Sequence, residues 1–286
     1  MPRISVIVPT YNRRATLARC VAALRAQAYP AAEREVIVVD NNSTDGSIDL
    51  IRHEPGVVLL REPRQGAYAA RNRGLRRAAG EIVAFTDADC VPRHDWLARI
   101  DEAMRDPGTR IVLGRSEPAW SSPALRLLGA YEHYKERYVF GTRKAEVYYG
   151  RTNNMAVRRE LFDAVGPFAE RQRGADAIFV QRAVDRFGCD AVRYEGGIHV
   201  QHAELERPRE YFRKVYLYGR SRRRHRALAR IRTLTTAERL RVFRDTVRGE
   251  RPSAAETVAF LALLVVGAGS WTAGDLAARL RSRDVA

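Results

Sequence analysis

Asp87 and Asp89 stand two residues apart where an apolar run ends, in Phe85-Thr-Asp-Ala-Asp-Cys90. The run itself, Glu81-Ile-Val-Ala-Phe-Thr86, has the length and composition of a short buried strand. Two acids at i and i+2 beyond such a strand face the loop edge of a sheet, where carboxylate oxygen can share a divalent cation with phosphate oxygen. The chemistry they suit is metal-assisted handling of a diphosphate. An isolated Asp-x-Asp is also an ordinary pair of loop acids ahead of the helix expected from about Asp95, so the residues around it must decide.

Those residues are carried by an alternation of short β-rich runs and amphipathic helical patterns between Ile4 and about Arg115. Strands are predicted at Ile4–Pro9, Glu35–Asp40, Val57–Leu60, the run into Asp87, and Ile111–Leu113. Helices are predicted over Thr16–Gln27, with Leu17, Cys20, Val21 and Leu24 on one face, over Ala67–Ala79 closed by Gly80, and from about Asp95 to Arg105. Such a pattern implies an α/β layer whose central sheet is mostly parallel and flanked by helices. Beyond it, Asn153–Val157 reads as a strand, Arg159–Val165 and Asp176–Phe187 as helices, and the chain after Pro208 as almost wholly helical. In an open α/β sheet, ligands bind beyond the carboxyl ends of the strands. Pro9-Thr-Tyr-Asn12, Asp40-Asn-Asn-Ser-Thr-Asp45 and Asp87-Ala-Asp89 all occupy such ends and should converge on one cleft. Neither the dinucleotide fingerprint Gly-x-Gly-x-x-Gly nor the P-loop pattern accompanies the first turn.

Six segments in order carry a resemblance: Val8-Pro-Thr-Tyr-Asn12, Val38-Val-Asp-Asn-Asn-Ser-Thr-Asp45, Ala70-Arg-Asn-Arg-Gly74, Phe85-Thr-Asp-Ala-Asp89, Asn153-Asn-Met-Ala-Val-Arg158 and Gly174-Ala-Asp176. Together they resemble the inverting glycosyltransferases of family 2, which have the GT-A nucleotide-diphospho-sugar transferase fold. The resemblance implies a catalytic domain over residues 1–205, with a nucleotide-sugar half to about 115 and an acceptor half from about 116, then a basic helical extension over 206–286. It implies that Tyr11 lies against the base, that Asp40 accepts a hydrogen bond from it, and that Arg71 reaches the base or the diphosphate, with Pro9 and Asn12 in the same binding surface. A uracil-like ring suits those types, offering a flat face to an aromatic side chain and an imide N–H to a carboxylate, while the diphosphate needs cationic donors. Asp87 is then expected near the ribose, Asp89 as the ligand of Mn²⁺ or Mg²⁺, and Asp176 as the general base that takes the proton of an acceptor hydroxyl. Ala175 departs from the family, which usually has a glutamate there, and this leaves the acceptor type open. Each residue also has a plain structural reading: Tyr11 packed under a loop, Asp40 and Asp45 capping turns, Arg71 a surface helix charge, Asp176 an N-cap.

His199 and His202 sit three apart on one expected strand and so point to opposite faces. The resemblance implies a histidine after the base segment that reaches the metal or diphosphate, and His202, nearer the loop, is the one expected there, with a satisfied structural histidine as the alternative. Arg220–Arg226 reads either as a basic lid over the diphosphate or as a solvated helix face. Trp120, Tyr131, Tyr134, Tyr138, Phe140, Tyr148 and Tyr149 form an aromatic cluster that suits a glycan or lipid-linked acceptor or packing against the sheet.

Composition narrows the partners. The formal net charge is +16, and 47 of the 50 basic residues are arginine. Residues 1–205 carry a net +5 and residues 206–286 a net +11, so the positive field belongs to the C-terminal part. Polyphosphates, anionic lipid and nucleic acid would all answer such a field, but no aromatic-basic platform motif for nucleic acid is present. Three widely spaced cysteines suit a reducing compartment rather than a disulfide framework. Without the pattern of a signal peptide at its start, the chain is expected on the cytoplasmic side. Thr257–Gly274 holds no charge and reads as a buried core helix, an interfacial helix at the inner face of a membrane, or a span. The function expected is a metal-dependent glycosyl transfer from a UDP-sugar. The alternatives are a nucleotidyltransferase, whose Gly-rich basic signature Pro9-Thr-Tyr-Asn-Arg13 does not match, and a non-catalytic glycosyltransferase-like scaffold, against which Asp87, Asp89 and Asp176 all count.

Overall fold

The computed structural model describes residues 2–118, 122–170, 173–202, 208–226 and 231–281. It divides into two compact units, Met1–Glu117 with Tyr148–Ala203, and Pro118–Val147 with Glu204–Ala286. In chain order the first contains β1 (Ile4–Thr10), α1 (Leu17–Arg25), β2 (Arg34–Asp40), β3 (Val57–Arg61), α2 (Ala67–Arg77), β4 (Ile82–Thr86), β5 (Cys90–Pro92), α3 (Trp96–Ala103) and β6 (Ile111–Pro118). The chain leaves for α4 (Pro123–Gly141) and returns with β7 (Asn154–Arg158), α5 (Arg159–Val165), α6 (Ala175–Phe187) and β8 (Val192–His202).

The strands lie in one sheet of order β3-β2-β1-β4-β7-β6-β8-β5. β3, β2, β1 and β4 run parallel, whereas β7 is antiparallel to both β4 and β6, and β5 is antiparallel to β8. All seven residues of β1 are buried, as expected of a parallel strand covered on both faces. One face packs Val6, Val8, Val38 and Ala84 against Leu17, Val21 and Leu24 of α1 and Trp96 and Ile100 of α3. The other is aromatic: Phe85 of β4 meets Phe168 edge-on at 5.3 Å between centroids, and Phe162 and Phe168 both lie 4.9 Å from Phe179 of α6. Ser5, buried in β1, is satisfied there, accepting the Gly80 N–H at 2.8 Å and donating to Glu35. α2 approaches β1 so closely that a Cβ on Gly74 would lie 2.6 Å from Ile7 Cγ2.

β6 runs to Pro118, well past the predicted Leu113, and β5 was not predicted. Neither Gly114–Pro118 nor Cys90–Pro92 has a periodic apolar signal; their ladders come from β7 and β8, partners far away in sequence.

The second unit holds α4 with α7 (Pro208–Arg226), α8 (Thr236–Glu250) and α9 (Ala254–Arg281). Here the aromatic residues of α4 pack against helices, not against the sheet. Leu127, Leu128 and Tyr131 form a core with Val242 and Phe260, flanked by Tyr134, Tyr138 and Phe243. Trp120 lies outside the described residues. α8 opens with a capping box between Thr235 and Glu238. Arg232 bridges Glu238 and Glu146 and, with the cap, holds the Glu238 carboxyl well below its usual range. Within α9, residues 254–278 have a mean hydropathy of 1.6 over the most apolar window, yet only 11% of that window is buried. A buried core helix is therefore not what this run forms.

Candidate functional site

The parallel register decides which side chains share an edge. Thr10 pairs with Asp40 and Ile7 with Phe85, so the loops that follow β1, β2 and β4 leave the sheet side by side. Because β7 is antiparallel to β4, with Thr86 opposite Asn154, the start of β7 and Thr152 before it lie on that same edge. The Thr86 hydroxyl donates to the Asn153 carbonyl at 3.0 Å and fastens the two. β5 and β8 bring Cys90 opposite His202, which adds a histidine beside the acidic loop.

The first two loops are stitched together by small polar side chains. Asn12, in the left-handed region at φ 51°, donates its backbone N–H to Ser43 Oγ at 3.1 Å and accepts the Thr44 N–H at 2.8 Å. Asp40 Oδ1 accepts the Ser43 N–H at 3.0 Å, which leaves Oδ2 for a ligand. Asn41 reaches the third loop, donating to the Glu62 and Arg64 carbonyls and accepting the Gly66 N–H at 2.7 Å. Asp45 accepts N–H groups from Arg14 and Ser47, and hydrogen bonding to Ser47 holds its carboxyl below the usual range. Tyr11, by contrast, is 48% exposed, and Pro9 is buried within β1. The stitched loops thus form a rigid rim with an aromatic face standing free on it.

Arg71 and Asp87, expected on the nucleotide, are paired with each other. Arg71 is 4% exposed, and its Nε is buried without a hydrogen-bond partner. Burying a guanidinium that incompletely satisfied carries a cost that a bound anion would recover. Asp89 is nearly as buried, and nitrogen atoms flank both of its oxygens: Arg13 Nη2 lies 3.9 Å from Oδ2, and His202 Nε2 3.9 Å from Oδ1. Candidate ligand atoms of Asp89, Cys90 and His202 all lie within 4.8 Å of one another. A hard cation prefers oxygen and nitrogen donors to the Cys90 thiol, and the donor set left is a carboxylate and an imidazole. That set fits Mn²⁺ or Mg²⁺ completed by phosphate oxygens. His199, on the opposite face of β8, hydrogen-bonds Glu117 at 3.1 Å instead.

Asp176 opens α6 just after Gly174, whose φ of 77° suits glycine. The 150–152 segment packs on it directly: a Cβ on Gly150 would lie 2.7 Å from the Asp176 carbonyl oxygen. From there the Thr152 backbone N–H reaches the Asp176 side chain, and Asp176 Oδ1 accepts the Ala177 N–H at 2.9 Å. Tyr68 of α2 completes the surroundings with its hydroxyl. Burial raises the Asp176 carboxyl above its ordinary range despite these donors and the positive charge of Arg71. Sequence reasoning missed Tyr68, Arg13 and Thr152; the spacing of Tyr68 and Arg71, three apart on α2, was the one available signal.

The family model for glycosyl transferase family 2 matches residues 5–174, more than half of the chain. The chain belongs to this family. Among similar proteins, glycosyltransferase AglE of Haloferax volcanii is 32% identical over 193 residues, which are 65% of this chain and 62% of AglE. The pre-mycofactocin glycosyltransferase of Mycobacterium tuberculosis is 28% identical over 229 residues, 76% of this chain and 46% of that protein. The chain thus spans less than two thirds of these relatives' own lengths. Among solved structures, the mannosyltransferase PcManGT from Pyrobaculum calidifontis, in complex with GDP-Man and Mn²⁺, superposes with a TM-score of 0.62 at 22% identity, covering 99% of this chain and 79% of that one. Glucosyl-3-phosphoglycerate synthase from M. tuberculosis, with Mn²⁺, UDP-glucose and phosphoglyceric acid, gives 0.55 at 22% identity over 73% of this chain and 74% of that one. The fold of this family 2 chain is accordingly the GT-A fold, a mixed sheet flanked by helices with a C-terminal helical part.

Proposed function

We propose that this chain is a metal-dependent inverting glycosyltransferase that moves a sugar from a nucleoside diphosphate sugar, with UDP as the expected nucleotide, to a hydroxyl of a glycan or lipid-linked acceptor. What supports this best is the sharing of one sheet edge by two differently prepared acids. Asp176 is desolvated and raised, as a proton acceptor requires, whereas Asp89 offers its carboxylate beside His202, with candidate ligand atoms within 4.8 Å of one another, as a cation site requires.

In the proposed reaction the base lies on the free face of Tyr11, its imide N–H donates to Asp40, and the ribose hydroxyls reach Asp87. Pro9 and Asn12 shape the floor and the turn of that surface. Asp176 takes the proton of the acceptor hydroxyl as that oxygen forms its bond to the anomeric carbon. The bond from that carbon to the diphosphate breaks, and its electron pair leaves on the nucleoside diphosphate. A single displacement inverts the centre. Arg71 and Arg13 offset charge that builds on the departing oxygens. Mn²⁺ or Mg²⁺ held by Asp89 and His202 would supply Lewis-acid stabilisation of that charge, worth several kcal/mol. We place the enzyme on the cytoplasmic side, held peripherally at the inner face of the cell membrane by its C-terminal helices. The exposed apolar residues of α9 support this: Val258, Leu261, Val265, Val266 and Leu276. The domain reading that accompanies it is a catalytic GT-A body followed by a basic helical extension from residue 206.

A donor screen tests the reading. Wild type, incubated with UDP-, GDP- and dTDP-sugars and Mn²⁺, should release nucleoside diphosphate with one of them, and Asp89→Ala should not. Release no greater than that of the Asp89→Ala control with every donor would defeat it.

A further inference from the structure

Residues 166–174 join α5 to α6 and so deliver Asp176 to the sheet edge. They are held from α2 and from the loop before it. The Phe168 ring is buried among Phe85, Phe162 and Phe179. Its backbone is gripped by one side chain: Asn72 of α2, also buried, donates to the Phe168 carbonyl at 2.8 Å and accepts the Phe168 N–H at 3.2 Å. Two residues on, the Glu170 carboxylate meets Arg64 as a fork, with Nη1 2.7 Å from Oε2 and Nη2 donating to Oε1 at 3.0 Å. The Asn72 amide reaches the same Oε1 at 3.4 Å.

Arg64 is held in its turn. Its backbone N–H donates to Glu62 at 2.9 Å, its carbonyl accepts Asn41 Nδ2 at 2.8 Å, and its Nε donates to Glu62 at 3.3 Å. Asn41 follows Asp40, the acid expected to read the base. A continuous line of contacts therefore runs from the nucleotide rim through Asn41, Arg64 and Glu170 to the segment that leads into Asp176. The Arg64 and Glu170 side chains are 59% and 34% exposed, so water screens their attraction and the pair adds little to folding free energy. What a two-bond contact of this geometry supplies is a fixed distance between the segments that carry it. We infer that Glu170 is a positioning residue for glycosyl transfer: through Arg64 it fastens the segment ahead of Asp176 to the rim that receives the nucleotide, so that base and donor sit in register. This rests on the reading of Asp176 as the base. Arg64 and Glu170 act through that placement and not by touching the reacting atoms.

Glu170→Ala and Arg64→Ala each remove the fork, and Arg64→Lys keeps the charge but not the two-bond geometry. With the donor sugar that wild type hydrolyses, each alanine variant should lower kcat about fivefold, leave the donor KM within about twofold and shift Tm by no more than about 2 °C. The double variant should be no slower than the slower single variant, because both changes break one contact, and Arg64→Lys should fall between wild type and Arg64→Ala. Losses that multiply in the double variant, wild-type kcat in Glu170→Ala, or a donor KM that rises at unchanged kcat would each overturn the inference. Amide hydrogen exchange needs no turnover. Glu170→Ala should quicken exchange over residues 166–170 by about threefold or more and leave residues 82–86 of β4 as in wild type. Unchanged exchange over 166–170 would contradict the inference. Asp176→Asn measured alongside separates the two readings. If it is as active as wild type, the base assignment fails, whatever the exchange shows; if it is inactive while Glu170→Ala has wild-type kcat, only the role of Glu170 fails.

Discussion

For the proposed proton transfer Asp176 must be ionised, and its surroundings oppose ionisation. Desolvation raises its carboxyl, whereas Tyr68, the Ala177 and Thr152 amides and Arg71 pull it back. The balance leaves a carboxylate more basic than one in water, which suits removal of a proton from a hydroxyl. The sign of the pH dependence follows: activity is lost as pH falls through a value above the ordinary carboxylate range, and kcat/KM should show an acid limb displaced upward from that range. Asp176→Asn should lower kcat by about 10³-fold and leave donor affinity, read by titration calorimetry, nearly unchanged. A proportionate loss of affinity would make Asp176 a binding residue. At this scale the sequence was informative about position: Asp40 ends β2, and Asp87 and Asp89 follow β4. It was uninformative about partners: Arg71 reads as a ligand contact, yet it bonds Asp87, because pairing across elements depends on where α2 lies above β4.

The elements hold these groups by close approach rather than by long side chains. α2 can bring Tyr68 and Arg71 to the edge only because Gly74 lets its backbone settle onto Ile7. Gly74→Ala should therefore cost about 1–3 kcal/mol of unfolding free energy in a urea titration, as overpacking does. Ile7→Ala, which removes the clashing Cγ2, should cost less in that background than in wild type. No change in the midpoint would mean that α2 tolerates being lifted. β1, β2, β4 and α1 were legible because continuous apolar runs and 3.6-residue spacing are local signals. β5, the second half of β6 and the start of β8 were not, since their hydrogen-bond partners are distant in sequence. The aromatic residues of α4 read equally as acceptor contacts or as packing against the sheet, because their partners, Val242 and Phe260, stand far along the chain.

Across the whole molecule, charge and apolar surface are unevenly spread. The net +11 over residues 206–286 accompanies a helix whose apolar residues remain largely uncovered. Vesicles containing anionic phosphatidylglycerol should therefore sediment the protein at low salt and less of it at high salt, while neutral phosphatidylcholine vesicles bind it more weakly. Val265→Glu should reduce the sedimented fraction at both salt concentrations, and equal recovery in the supernatant with and without vesicles would sink the membrane reading. By itself the sequence determined the family and the α/β order, along with which acids stand at strand ends, because six ordered motifs and the hydrophobic period are properties of the chain read locally. Tertiary structure alone decided that Tyr68 and Thr152 lie beside Asp176, that Arg13 lies beside Asp89, and that α9 leaves its apolar side exposed. Each of these depends on register and packing between segments far apart in the chain, and no local pattern encodes where such segments meet.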